Sequence, residues 1–369
     1  MFIFIINSLG FGGAESSLIR VLGVFKRNGI PFKLVVQNKV QRELDYSHIS
    51  EETIFLQNTK SSFYSFFLNV VSYKRISGHL NLSNGSYNGN VKIIGLLPQS
   101  VILGYLLKKK NGCELIPVEE NNLELSLKSG FQNILFKSLL KRIYKDISRC
   151  IVISREIGSQ MQDFFDYRGE INFIPNCIDL VSQKIRSDVS SSKYRFVMLG
   201  RLVSQKNYFF ALNVFKELNN LGLDFTVDVY GSGPGEKLIS SKINEYGLGD
   251  IVKLKGITTD VMSTLDNYDY FIHTALYEGF GNVIIEAMYK KLVVICSDVD
   301  YGPREIISNN INGFLLPLSV HHWVEFINNL AVVPFDLNSI REAARRRASD
   351  FGSENVAIQY LKLLSDREF

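Results

Sequence analysis

The chain has 369 residues, 46% of them hydrophobic and 21% charged, which excludes a disordered or fibrous protein and exceeds one ordinary core, so two domains are expected. The net charge of +4 is uneven: residues 1–180 hold 21 Lys and Arg against 15 Asp and Glu, and residues 181–369 hold 20 against 22. Four cysteines (Cys113, Cys150, Cys177, Cys296) lack CxxC spacing, which argues against a zinc ribbon or disulfide framework and fits small buried hydrophobes in a reducing compartment.

The first residues form an apolar run, Phe2–Asn7, with no basic leader and no small-residue cleavage site. No stretch reaches the roughly 20 apolar residues of a spanning helix. The run Phe63–Tyr73 is short and holds Ser65 and Asn69. A cytoplasmic protein is expected, with a peripheral place on the membrane face left open.

Phe2–Asn7, Phe32–Gln37, Lys92–Leu96, Glu114–Val118 and Cys150–Ser154 read as buried strands. Helical patterns lie between them at Glu15–Arg27, Ser100–Lys110 and Gly130–Tyr144. Such alternation implies a parallel sheet. It breaks after Ile171–Ile174, where Pro175–Asp179 leads into the polar stretch Ser187–Ser192, read as an interdomain linker. Strands resume at Phe196–Leu199, Thr226–Tyr230, Val252–Lys255, Tyr270–His273 and Val293–Cys296. Helices are expected at Asn207–Leu221, Gly235–Tyr246, Asn282–Lys290 and Val320–Leu330, and Ser339–Leu364 reads as two helical stretches broken near Gly352. Asn81–Asn90 is a polar loop. Each half is expected to be its own doubly wound sheet, with ligands beyond the carboxyl ends of the strands.

Five loops follow strands. Ser8–Glu15 carries Gly10, Gly12 and Gly13 before a helix, without the dinucleotide GxGxxG spacing, and also fits a plain tight turn. Gly200-Arg201-Leu202-Val203-Ser204-Gln205-Lys206-Asn207 places two cations at a strand end, where they suit a diphosphate or form a solvated basic loop. Tyr230–Gly235 carries Gly231 and Gly233, with ligand approach and ordinary loop both open. Glu278-Gly279-Phe280-Gly281-Asn282-Val283-Ile284-Ile285-Glu286 is the most specific. Its glycines leave backbone N–H groups free at a helix start, and Glu286 suits the two hydroxyls of a ribose. Ser297–Ile307 holds Gly302-Pro303 as a turn and Arg304 at a short helix, which structure alone explains.

Together these residues resemble the family-4 glycosyltransferases of the GT-B fold, of the bacterial surface-polysaccharide type. The resemblance is strongest from Phe196 to Leu316. Its signature is two glutamates with seven residues between them, Glu278 and Glu286. Gly200-Arg201, Lys206-Asn207, Gly12-Gly13-Ala14-Glu15, Ile174-Pro175-Asn176 with Asp179, and Val152-Ile153-Ser154 match in family order. The resemblance implies two Rossmann-like doubly wound α/β domains facing across a cleft. Residues 1–178, completed by a C-terminal helix at 350–369, would be the acceptor side, and residues 179–349 would bind the nucleotide sugar.

By the same resemblance Glu278, Arg201 and Lys206 are catalytic: the two cations hold the donor diphosphate and Glu278 meets the transferred sugar. Glu286 takes the ribose, and Gly12, Gly13, Gly200, Gly231, Gly233, Gly279, Phe280, Gly281, Asn282 and Val283 line the donor. The implied reaction is retaining, with no metal and no cofactor. It moves a UDP-hexose or UDP-N-acetylhexosamine sugar to a glycan or lipid-diphosphate-linked acceptor for O-antigen, capsule or exopolysaccharide. Two departures stand out. Where many members carry a His, this chain reads Pro117-Val118-Glu119-Glu120-Asn121-Asn122, which makes Glu119 and Asn121 candidate acceptor or sugar contacts. Where the family often has Gly-x-Pro after the second glutamate, Lys291-Leu292-Val293 implies a changed turn. His273 reads as packing at a sheet end rather than as a base.

The basic first half reads first as solvated faces and also fits a lipid-diphosphate acceptor or the inner-membrane surface; Phe131–Tyr144 reads first as a helix packed on its sheet, with a basic amphipathic helix on a membrane as the alternative. No nucleic-acid motif is present. A sugar-nucleotide epimerase of related fold and an inactive nucleotide-sugar-binding protein stay open on sequence alone.

Overall fold

The structure, a computed structural model, describes residues 1–10, 12–40, 44–57, 76, 91–120, 131–180, 194–330 and 336–365, with the backbone alone for 131–135. Asn121 and the stretches Phe63–Tyr73, Asn81–Asn90 and Ser187–Ser192 lie outside these residues. The chain divides into two compact units, Met1–Asp179 with Ser353–Phe369, and Leu180–Gly352. Among the described residues no helix is long and apolar enough to cross a membrane.

The first unit runs β1 (Phe2–Ile6), α1 (Gly13–Arg27), β2 (Phe32–Asn38), a 3-10 turn (Ser47–Glu52), β3 (Thr53–Gln57), β4 (Lys92–Leu96), α2 (Leu97–Asn111), β5 (Glu114–Glu119), α3 (Phe131–Tyr144), β6 (Arg149–Val152), α4 (Arg155–Phe165) and β7 (Glu170–Phe173). Its seven strands pair in the order β3-β2-β1-β4-β5-β6-β7, and every pairing is parallel. The inner strands β1, β2, β4, β5 and β6 are buried along most of their length, as a parallel sheet covered on both faces requires.

Several boundaries differ from the sequence reading by one to three residues, and two of the differences change what a side chain does. Strand β5 runs on through Glu119, so that side chain is part of a buried strand rather than a loop. Strand β6 stops at Val152, and Ser154 instead caps α4, its hydroxyl accepting from the Ile157 N–H at 3.2 Å. A serine oxygen satisfies a helix-start donor that a strand would leave unused.

The second unit runs β8 (Tyr194–Leu199), a 3-10 turn (Ser204–Lys206), α5 (Tyr208–Asn220), β9 (Phe225–Tyr230), α6 (Glu236–Glu245), β10 (Val252–Gly256), α7 (Val261–Leu265), β11 (Tyr270–His273), α8 (Asn282–Tyr289), β12 (Val293–Ser297), α9 (Gly302–Ile306), β13 (Phe314–Leu316), α10 (Val320–Asn328) and α11 (Leu337–Ser349). Its strand order is β10-β9-β8-β11-β12-β13, again all parallel. Rings fill the core: Phe196 meets Phe225 edge-on at 6.0 Å, and Phe210 meets the buried Trp323 at 5.7 Å. Each such buried ring contributes about 2 kcal/mol.

The last helix, α12 (Ser353–Ser365), belongs to the first unit. Tyr360 packs on Phe4 at 6.4 Å, the Ser353 N–H donates to Ile178 O at 2.9 Å, and Arg149 donates to Leu363 O at 3.0 Å.

In both sheets the chain first grows one way from a central strand and then returns to grow the other way. The switch falls between β1 and β4 in the first unit and between β8 and β11 in the second. Loops leaving the carboxyl ends of such a strand pair diverge and leave room for a ligand.

Candidate active site

In the second unit the loops after β8 and β11 are tied together. The Leu276 N–H donates to Gln205 O at 2.8 Å, and Gln205 Nε2 donates to Tyr277 O at 3.0 Å. Thr274 Oγ1 donates to Lys206 O at 3.1 Å and to Asn207 O at 3.3 Å. Asn207 itself sits at φ +53, a left-handed turn that Asn tolerates, and this turn joins the 3-10 turn to α5. The backbone of Lys206 is therefore fixed from two sides.

The Lys206 ammonium donates to Glu278 Oε2, and His273 Nε2 lies 3.2 Å from the same oxygen. Side-chain exposures of 13%, 14% and 3% for Lys206, Glu278 and His273 make this a buried charge cluster. Burial is the largest influence on Glu278 and pushes its pKa up. The Lys206 charge and the His273 hydrogen bond together outweigh it, and the carboxyl is held down at about 2. Burial, then the Lys206 charge, pushes the His273 imidazole down, so it is neutral near pH 7. Arg201 is exposed on the same loop, and its guanidinium has no partner among the described residues.

The loop Glu278–Gly281 opens α8. Gly281 caps the helix at φ +101, and a Cβ there would lie 2.8 Å from Ile284 Cδ1, so glycine is required. Gly279, Asn282 and Val283 are half-buried. Phe280 is buried and packs edge-on against Phe351 at 5.6 Å, which leaves its role to the backbone. Glu286 is buried on α8, four residues after Asn282 and so on the same helix face. Helix α8 ends at Tyr289 with Lys290 as its C-cap, and Lys291 beyond it supplies the left-handed turn at φ +61, its N–H donating to Met288 O at 3.0 Å.

Gly200, Gly231 and Gly233 come together for a reason the sequence did not show. A Cβ on Gly231 would meet Gly200 O, and one on Gly233 would meet Leu202 O at 2.5 Å. The Gly200 N–H donates to Tyr230 O at 3.0 Å and the Leu202 N–H to Ser232 O at 2.9 Å. Loop-on-loop packing accounts for these glycines without a ligand.

Gly12, Gly13 and Glu119 belong to the first unit. Gly12 caps α1 in an extended conformation and Gly13 starts the helix. Glu119 is fully buried and accepts from the Tyr144 hydroxyl, so it offers no surface to an acceptor. Neighbouring Glu120 is also buried; burial, then the Glu15 charge, pushes its carboxyl up to about 8, against a bond from Asn176. Leu140, Ile143 and Tyr144 of α3 are buried in this unit while Lys141 and Arg142 are exposed. Among the described residues no cluster of three or more His, Cys, Asp or Glu could hold a metal ion.

Residues 182–347, nearly all of the second unit, match the family described as glycosyl transferases group 1. The second unit is a group 1 glycosyl transferase domain. An uncharacterized glycosyltransferase of Methanocaldococcus jannaschii is 26% identical over 61% of this chain and 57% of that protein. The Campylobacter jejuni N-acetylgalactosamine-N,N'-diacetylbacillosaminyl-diphospho-undecaprenol 4-alpha-N-acetylgalactosaminyltransferase is 22% identical over 97% of this chain and 98% of that protein. The chain spans about half the length of several of its curated relatives. The Anabaena protein HepE, crystallised with UDP and glucose, superposes with a TM-score of 0.78 at 18% identity, covering 99% of each chain. This likeness makes the fold GT-B, with two Rossmann-like parallel-sheet units.

The sequence reading missed the clamp formed by Gln205 and Thr274 and the contact of His273. The single available signal was that all three flank the two loops of the switch point.

Proposed function

We propose that the protein is a retaining glycosyltransferase that moves a sugar from a nucleotide-sugar donor to a glycan acceptor. The observation that carries this reading is the buried Lys206–Glu278 pair at the β8/β11 switch, with Arg201 exposed on the same loop and without a partner among the described residues. In the proposed reaction the bond from the anomeric carbon to the diphosphate oxygen breaks, and its electron pair leaves with the nucleoside diphosphate. Lys206 and Arg201 take up the charge that grows on that oxygen. The acceptor hydroxyl bonds to the anomeric carbon from the face the diphosphate leaves, and its proton passes to a departing phosphate oxygen. Fixed cations then stabilise the leaving group, so the proposed reaction uses neither metal nor cofactor.

Glu278 accepts from hydroxyls of the transferred sugar and Glu286 from the ribose. Phe280–Asn282 offer backbone amides to the phosphates. UDP is the proposed nucleotide, supported by the UDP in the HepE crystal. A lipid-diphosphate-linked glycan of surface-polysaccharide synthesis is the proposed acceptor, supported by the diphospho-undecaprenol substrate in the Campylobacter protein's name. Exposed Lys141, Arg142 and Lys145 at the end of α3 offer anionic headgroups a cationic surface, and flotation with phosphatidylglycerol vesicles tests that contact.

The test of function is a thermal-shift screen against UDP, GDP, ADP and their common sugar conjugates. A ligand of the native state alone raises the melting temperature. A rise with the UDP series is expected; no rise with any nucleotide sinks the reading.

A further inference from the structure

Two donors meet on one oxygen of Glu278. The Lys206 ammonium and His273 Nε2 both reach Oε2, while Oε1 has no partner among the described residues. An ionised carboxylate only accepts, so Nε2 must carry the ring proton. Because the ring is neutral, Nδ1 is bare. Tyr208 on α5 and Cys296 on β12 are the other titratable groups that feel Glu278, and burial drives both upward, so both stay neutral.

The two donors differ in freedom. Lys206 is a point charge on a flexible stem and follows the stronger anion. His273 closes strand β11 and is 3% exposed, with its ring stacked near Phe271 at 6.0 Å and 19°. A nucleotide diphosphate entering beside Arg201 would compete with Glu278 for Lys206. Without a second donor, Glu278 would then be a buried carboxylate short of its counter-ion. Burial drives such a group to take up a proton, and a protonated Glu278 loses acceptor capacity.

We propose that His273 is a positioning residue: it holds Glu278 through Oε2, so that Lys206 can pass to the diphosphate of a bound nucleotide while Oε1 stays aimed at the sugar. This rests on the donor-site reading above and adds to it a residue that touches no substrate.

The first test is long-range proton–nitrogen NMR of the histidines in the full chain, assigned with His273→Gln and titrated with UDP. The expected His273 signal is the neutral Nε2–H tautomer, kept when UDP saturates. A ring protonated on Nδ1 alone, with or without UDP, overturns the proposal even where UDP binds. Unchanged spectra and no binding of UDP, GDP or ADP remove the donor-site reading itself, and this proposal with it.

The second test is turnover of a UDP-sugar by His273→Leu, which loses the donor, and by His273→Gln, which keeps an N–H near the same place. His273→Leu is expected to lose at least ~10-fold in kcat with UDP affinity within ~3-fold, and its rate should fall on acidification toward about pH 6, where the parent is flat. His273→Gln should restore most of the rate and the flat profile. Parental kcat and pH profile in His273→Leu, or equal impairment of both variants, contradict the proposal.

Discussion

A Cβ on Gly231 would lie 1.9 Å from the carbonyl oxygen of Gly200, so the loop after β9 can close on the loop that carries Arg201 and Lys206 only because residue 231 is a glycine. The backbone at Gly231 also has φ +144, where side chains are strained. Gly231→Ala is expected to cost about 3 kcal/mol, while Gly222→Ala, at φ +78 with nothing within 4 Å, costs about 1 kcal/mol. Urea unfolding of both variants checks the difference. Equal costs would show that the loops are not packed in this way.

Lys206→Ala should cut transfer by at least ~100-fold, which is about 2.7 kcal/mol of transition-state stabilisation. It also leaves Glu278 buried without its cation, at a cost of about 3 kcal/mol in stability. The double variant Lys206→Met with Glu278→Gln removes both charges and serves as the folded, inactive control. Because the Glu278 carboxyl is held at about 2 in the fold against 4.5 when free, its stabilisation is present above pH 4.5 and is lost as the pH falls toward 2. The double variant should lack that part of the acid sensitivity in a pH series of thermal melts.

Arg201→Ala should behave differently. The side chain is exposed and unpartnered among the described residues, so its loss should leave stability within about 0.5 kcal/mol. Its charge-assisted bonds to a diphosphate are worth about 1.5–3 kcal/mol, so UDP affinity should fall roughly 10- to 100-fold. Calorimetric titration with UDP reads this directly, and unchanged affinity would remove Arg201 from the site.

Glu119 and Glu120 make the first unit sensitive to alkali. Burial is the chief cause that holds their carboxyls at about 7 and about 8, against 4.5 when free. The fold binds more protons than the unfolded chain across that range, so their contribution is complete below pH 4.5 and is lost as the pH rises through about 8. Glu120→Gln should stabilise the protein in urea at about pH 8.5 and change it by no more than about 1 kcal/mol at about pH 5. A Glu120→Gln variant weaker than the parent at the higher pH would contradict this.

Much of the fold could be read from the chain because parallel strands buried on both faces are near-continuous apolar runs, as in Phe2–Ile6 and Val293–Ser297. Strand β3 escaped because Thr53–Gln57 is short and sits at a sheet edge, and β13 has three residues. Helix α4 escaped because Ser154 declares itself as a cap only through its bond to Ile157.

Glu278 stood out in the sequence through its place in a glycine loop before a helix, but its partner depends on strand order. Lys206 and Glu278 are 72 residues apart and meet because β8 pairs with β11. Composition could not distinguish glycines that admit a ligand from Gly231 and Gly233, which admit a neighbouring loop. Nor could it show that Glu119 lies inside β5 beneath Tyr144.

A crystal structure of the protein with UDP bound tests most directly whether Lys206 and Arg201 hold the donor diphosphate. Diphosphate oxygens are expected within about 3 Å of Lys206 Nζ and the Arg201 guanidinium, with the ribose hydroxyls on Glu286. A nucleotide seated elsewhere, with Lys206 still held by Glu278 alone, would contradict it.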